Sequence, residues 1–392
     1  MLFAALFAAC TPRQVTPPEP KLELSTVSFS ELPGWANDDQ SAAYETFRDS
    51  CTAMQKRAPT AAWTLGPLTG TNADWIDICR QLQPSATTAE ARAFFERNFT
   101  PMLVTDRGDE AGLITGYFEP ELKGSRTQSA RFSIPLYRRP PDLVTADLGL
   151  FRADLKGRSI TGRIEGNRFV PYPARAIIEQ GALAGKKLEI LWVDDPIETF
   201  FLHVQGSGRV VLENGEVVRV GYDAQNGQVY RAIGRDLVER GAIPADQVTL
   251  DSIVAWLRAH PAEAQDVMNK NPSFVFFREI KGRGPIGAQG VPLTPERSLA
   301  VDRKFYAMGM PIWLETTYPA GNARAGQPLQ RLMVAQDTGG AIKGVVRGDL
   351  FWGAGPVARA GAGAMKQQGR FFVLVPTRAL RISSTVTSLQ AG

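Results

Sequence analysis

Beyond residue 113 the chain is a succession of short apolar runs punctuated by glycine and proline. The runs at 113–118, 132–137, 189–193, 200–205, 209–212, 216–220 and 274–277 read as strands, and strands continue to 375. Gly206-Ser207-Gly208 reads as the turn of a hairpin joining 200–205 to 209–212, and Asn214-Gly215 as the next turn. Helical patterns interrupt at 229–240, closed by Gly241, and at 252–259, closed by His260-Pro261. A doubly wound parallel sheet would alternate strand and helix throughout. This pattern instead predicts a closed barrel or Greek-key body, mainly β, behind a set of N-terminal helices.

Those helices occupy 39–100. The first, over 39–56, places Ala43, Phe47, Cys51 and Met54 on one face; the second groups Trp75, Cys79 and Leu82. A third opens with the capping box Thr87-Thr88-Ala89-Glu90, runs through Phe94 and Phe95, and stops before Pro101. Cys51 and Cys79 thus lie on buried faces of consecutive helices. An oxidising compartment allows them to bond, and two unpaired core thiols are an equal alternative. Ahead of the helices, an apolar run ends at Cys10 and a Pro-rich polar stretch follows to Pro33. That order resembles a bacterial lipoprotein signal with lipidation at Cys10, the Pro-rich stretch serving as a tether.

Composition removes other classes. After the first ten residues no uncharged apolar run approaches the roughly 20 residues that span a bilayer. The 44 basic and 40 acidic residues give a net charge of +4, spread along the chain, which excludes a tail-driven nucleic-acid binder. Two histidines and three cysteines are too few for a multi-histidine zinc centre. Carboxylates must therefore carry any chemistry, with no metal and no cofactor expected.

Three aspartates stand out in the last third: Asp302 after Leu299-Ala300-Val301, Asp337 before Thr338-Gly339-Gly340, and Asp349 in Gly348-Asp349-Leu350-Phe351-Trp352-Gly353. Each sits at a strand end or in a glycine-rich turn, flanked by apolar residues. Crowded carboxylates beside an aromatic such as Trp352 raise one pKa. An acid kept protonated near neutrality suits glycosidic cleavage, because the leaving oxygen must take a proton.

The motifs Thr115-Gly116-Tyr117-Phe118, Pro135-Leu136-Tyr137-Arg138, Val204-Gln205-Gly206-Ser207-Gly208, Asn271-Pro272-Ser273-Phe274-Val275-Phe276-Phe277, Val301-Asp302-Arg303, Asp337 and Asp349 follow one another in order. Together they resemble the membrane-bound lytic murein transglycosylase A family over roughly 100–376, the C-terminal part being similar to the three-aspartate (3D) domain. The resemblance implies a double-psi β-barrel built from 35–112 and 281–392, with an inserted smaller β domain at 113–280, a substrate groove between them, and signal and linker at 1–34. It implies cleavage of the β-1,4 bond between N-acetylmuramic acid and N-acetylglucosamine in peptidoglycan, leaving a 1,6-anhydro sugar. One acid/base then suffices, falling on Asp349, with Asp337 and Asp302 as supporting residues. Sugar contacts are expected from Tyr117, Phe118, Tyr137, Arg138, Gln205, Gly206, Ser207 and Gly208. The implied partners are peptidoglycan strands and a membrane reached only through the lipid anchor, with a cell-wall complex as a further association. The protein is expected to be a monomer in the bacterial periplasm, anchored to the outer membrane.

Plainer roles stand beside these. Asp302 reads equally as a turn or as an ion pair with Arg303. Asp337 belongs to an Asp-Thr-Gly triplet, but the paired-aspartate protease mechanism needs a second such triplet, which the chain lacks. His203 reads as a satisfied core histidine on a strand, and Lys343 as an exposed loop residue. Glu119 and Glu121 flank Pro120 and carry the main alternative, a hydrolytic muramidase with two carboxylates. A non-catalytic peptidoglycan-binding module is the other.

Overall fold

The computed structural model describes residues 19–282, 284–320 and 322–380; the expected lipidation site Cys10 lies outside them. Strand β1 (Leu22–Thr26) comes first, within the stretch read as a tether. Then follow α1 (Gln40–Met54), a hairpin of β2 (Ala62–Leu65) and β3 (Leu68–Thr71), α2 (Asn72–Cys79), α3 (Thr88–Asn98) and the long strands β4 (Phe99–Asp106) and β5 (Gly112–Glu119). A middle section holds β6 (Glu121–Ser125), β7 (Ile134–Tyr137), β8 (Val144–Asp147), β9 (Ser159–Glu165), β10 (Arg168–Pro171), the short α4 (Arg175–Ile177) and β11 (Glu189–Val193). It continues with α5 (Pro196–Gln205), β12 (Ser207–Leu212), β13 (Val217–Gln225), α6 (Ile233–Glu239), α7 (Leu250–Ala259), α8 (Pro261–Asn269) and β14 (Val275–Ile280). The last section holds β15 (Ser298–Val301), β16 (Pro311–Thr317), β17 (Pro328–Asp337), β18 (Gly348–Ala354), α9 (Pro356–Ala364) and β19 (Lys366–Pro376).

The barrel is a closed six-strand ring, β19-β16-β17-β15-β18-β5, shut by pairing of β5 back onto β19; β4 and β1 extend from β19 outside it. Both ends of the chain contribute, as expected. The β15–β17 and β18–β5 pairings are parallel and the other neighbours antiparallel. Its interior is one large apolar cluster that runs into α1, α2 and α3 and includes Trp313, Phe371 and Trp352. β5 is a barrel stave through Glu119, although the expected boundary at 113 assigns it to the insert; the chain crosses into the second sheet at Pro120.

That second sheet, β14-β13-β12-β6-β11-β7, uses residues 121–280, with β8, β9 and β10 forming a separate three-strand sheet. The segment 200–205 is not a hairpin strand. It is the body of α5, whose Asp195 N-cap accepts from Ile197 and Glu198 and whose first position is Pro196. Gly206 is its left-handed C-cap (φ 77°), and β12 begins at Ser207. The helical reading of 39–100 likewise omitted the β2–β3 hairpin.

The cap expected at Thr87 forms, with Glu90 bonded back to the Thr87 N–H at 2.8 Å. Cys51 and Cys79 are disulfide-bonded, resolving the open alternative. Among the described residues no helix is long and apolar enough to cross a membrane.

Candidate active site

The register of the barrel aligns the chemistry. Ala300 on β15 pairs with Asp337 of β17 on one side and Asp349 of β18 on the other, and Asp349 pairs with Thr115 of β5. Paired residues on neighbouring strands project to the same face. Asp337, Ala300, Asp349 and Thr115 therefore form one transverse row. Phe351 and Tyr117, two residues further along, are also paired, their ring centroids 5.2 Å apart. Leu299, Val301, Leu350 and Trp352 alternate inward to the barrel core, whereas Tyr117, Leu293, Ala300, Ile342 and Phe351 form a separate apolar cluster. The row thus lies on the outer wall, with the small Ala300 between the two carboxylates. Trp352, expected beside the acid, faces the other way because it is an odd number of residues from Asp349; Phe351 takes that place.

Each aspartate is half-buried and differently solvated. Asp349 Oδ1 accepts from Thr115 Oγ1 at 2.6 Å, and burial raises the carboxyl above the usual range while Thr115 and Arg347 oppose the rise. Asp337 accepts three bonds of 2.9 Å: Ala288 N–H and Thr338 N–H on Oδ1, Tyr117 O–H on Oδ2. Burial pushes Asp337 up to about 6, its donors pull it back, and the charge of Asp349 adds to the rise. Asp337 is therefore mostly ionised at neutral pH.

The inserted body looks onto this row through Tyr230. Burial and the charge of Asp349 raise its phenol, and a Cβ built on Gly340 would stand 3.9 Å from the Tyr230 Cβ. Two buried asparagines hold the segment. Asn226 donates to Pro173 O and Pro272 O, and Asn271 Oδ1 accepts from Arg231 and Ser273. These bonds account for the Asn271-Pro272-Ser273 motif physically: buried amides satisfy backbone groups that no strand pairs. Tyr230 and Arg347 escaped the sequence reading. Thr115 was quoted only within a motif, and only strand register could place it on Asp349.

The other expected site residues divide. Asp302 is buried, and it accepts from Lys304 N–H and Gly344 N–H at 3.0 Å each, with Lys343 Nζ at 4.0 Å. It ties the 302–304 turn to the loop before Asp349, and no pair with Arg303 is involved. Phe118 points into the barrel core, Tyr117 is spent on Asp337, and Tyr137 packs against Phe274 at 6.4 Å. All three rings are buried, so none offers a face to a sugar. Gln205 Oε1 accepts from Phe118 N–H at 3.1 Å, bolting the end of α5 to β5. Ser207 is buried, and a Cβ on Gly208 would come within 2.9 Å of Pro120 O, so this glycine serves the crossing between the two bodies. Arg138 is exposed.

His203 is a satisfied core histidine, as expected, though on a helix: its Nδ1 accepts from Val275 N–H at 3.1 Å and burial holds its pKa well down. Glu119 is buried with Arg219 Nε 3.3 Å away, and exposed Glu121 pairs with Arg209 at 3.4 Å.

Two domain families match the chain: the MltA specific insert domain over 113–278 and the 3D domain over 297–375. The membrane-bound lytic murein transglycosylase A of Escherichia coli K12 is 33% identical over 263 residues, 66% of this chain and 64% of that protein. The match thus spans a little under two thirds of that curated relative. Among solved structures, a membrane-bound lytic murein transglycosylase from Agrobacterium tumefaciens superposes with a TM-score of 0.81 at 34% identity, covering 91% of this chain and 99% of that one. E. coli MltA with bound chitohexaose gives a TM-score of 0.63 at 26% identity, covering 85% and 90%. With both domains in order and the fold shared over nearly a whole relative, the chain belongs to the membrane-bound lytic murein transglycosylase A family.

Proposed function

We propose that the protein is a peptidoglycan lytic transglycosylase in which Asp349 is the sole acid/base. The observation that carries this reading is the half-buried Asp349 carboxyl, raised by burial on an apolar outer wall that faces the inserted body through Tyr230. In the first step Asp349 gives its proton to the oxygen bridging N-acetylmuramic acid and N-acetylglucosamine. The C1–O bond breaks, leaving an oxocarbenium-like muramyl centre. The muramyl C6 hydroxyl then bonds to C1 and returns its proton to Asp349. No water is consumed, and the product is the 1,6-anhydro sugar.

Asp337 supports this cycle as the second carboxyl of the row, held in place by two backbone N–H groups and the Tyr117 hydroxyl, and Asp302 supports it by holding the preceding loop. Arg138 is the proposed partner for a lactyl or stem-peptide carboxylate. The chitohexaose bound by the E. coli relative supports a glycan ligand, and the description of the relatives as membrane-bound supports an anchor. We place that anchor at Cys10, on the periplasmic face of the outer membrane, with the protein acting as a monomer.

A two-carboxylate muramidase is less well supported, because Glu119 is buried beside Arg219 rather than free to activate water. Mass spectrometry of digested peptidoglycan tests the reading. Anhydromuramyl ends are expected; reducing muramic ends would establish the muramidase, and intact polymer a binding module. Asp349→Asn should lower turnover by roughly 10²–10⁴-fold while glycan binding persists. Unchanged turnover would move the acid elsewhere.

A further inference from the structure

Arg347 stands just before β18 and is half-buried. Its donors go to oxygen atoms of the barrel wall: Nη1 to the carbonyls of Gly348 and Leu113, and Nη2 to Thr115 Oγ1 at 2.9 Å. Thr115 in turn stands 2.6 Å from Asp349 Oδ1. A guanidinium only donates, so Arg347 occupies one of the two lone pairs of the Thr115 hydroxyl and leaves its single hydrogen for the carboxylate. The bonds run in one direction: Arg347 donates to Thr115, and Thr115 donates to Asp349.

We infer that Arg347 is a positioning residue for the acid, acting through the Thr115 hydroxyl to hold Oδ1 as a permanent acceptor and to leave the transferable proton on Oδ2. This rests on Asp349 being the acid/base proposed above. Oδ1 cannot carry the proton while the hydroxyl hydrogen points at it, so the proton that goes to the glycosidic oxygen, and later returns from the sugar hydroxyl, occupies the other oxygen. The same relay stabilises the carboxylate formed after the first transfer, since a hydroxyl polarised by a cation is a stronger donor. It counteracts the burial that raises Asp349. The other titratable groups around Asp349 are Tyr117 on β5, Asp337 at the end of β17, Tyr230 from the insert and exposed Lys366, which β19 pairs with Thr115. Arg347 is the cation bonded to the Thr115 hydroxyl.

The test follows the Asp349 carboxyl directly, by ¹³C NMR titration of the aspartate-labelled protein, with the resonance assigned by its loss in Asp349→Asn. Arg347→Met should raise the titration midpoint by about one pH unit, and the basic limb of kcat/KM should move up with it, because the protonated form starts the reaction. Arg347→Lys should recover most of the shift, and Thr115→Ser should keep the wild-type midpoint. In a Thr115→Val background, Arg347→Met should move the midpoint by less than half as much. An unmoved midpoint, with activity lost equally at every pH, would reduce Arg347 to strand packing. A full-sized shift without the Thr115 hydroxyl would replace the relay with direct charge. If Asp349→Asn still cleaved glycan, the acid reading would fail separately, and the midpoints would continue to decide the relay.

Discussion

Asp337 and Asp349 share a face, an apolar floor and a residue type, yet their donors separate their behaviour. Asp337 takes a phenol and two backbone N–H bonds, and no side-chain rotation of the donors can exchange the latter two. Asp349 takes one hydroxyl, on Oδ1. The raised value of Asp337, about 6 against an ordinary 3.8, also has a thermodynamic sign. The folded protein holds this proton more tightly than the unfolded chain. The stabilisation is therefore complete below about pH 4 and lost as pH rises through about 6. Melting curves should show wild type losing stability across that window and Asp337→Asn losing less. Parallel curves would mean that the carboxyl titrates normally. Tyr117→Phe, which removes one donor from Asp337, should push its titration higher still.

Among the elements, the helices show what a sequence exposes and what it hides. The Thr87–Glu90 box and the apolar faces of α1 and α2 were legible because capping and periodicity are local. Helix α5 was not, because Phe200-Phe201-Leu202-His203-Val204 is an apolar run interrupted only by His203, which suits a buried strand equally well. The deciding signal was Asp195-Pro196, an N-cap and first-turn proline that pass easily for a plain turn. His260-Pro261 misled in the same way: it ends α7 and also starts α8. In the candidate site, Asp349 was singled out by the family motif around it, and the structure sets it on β18. The Arg347–Thr115 pair was not, since 232 residues separate its members and only β-sheet register joins them. The Cys51–Cys79 bond ties α1 to α2 across a separation of 28 residues. Its removal in a Cys51→Ser/Cys79→Ser double variant should cost about 3 kcal/mol, read from denaturant melts. A change within about 0.5 kcal/mol would mean that packing alone fixes these helices.

At the scale of the whole molecule, the barrel depends on a tie to the chain's early residues. Arg297 is buried and makes a two-pronged pair with Asp38 at 2.7 and 2.8 Å, while Asp38 also accepts from Leu332 N–H. This pair joins the segment before α1 to β17 and to the residue ahead of β15. Asp38→Ala leaves a buried guanidinium without its counter-charge, bonded only to Leu332 O, and should destabilise the protein by about 3–5 kcal/mol. Restoration by a further Arg297→Met change would identify the orphaned charge as the cause, and a loss equal in both variants would point to the Leu332 bond instead.

The ring β19-β16-β17-β15-β18-β5 has a temporal consequence. Its final stave, Lys366–Pro376, pairs with both β5 and β16, so a nascent polypeptide halted before residue 366 holds Asp349 and Thr115 on an open sheet. While the ribosome is still adding that stave, the barrel that carries Asp349 remains unclosed, and the wall that sets Thr115 against it is completed only once synthesis has passed that strand.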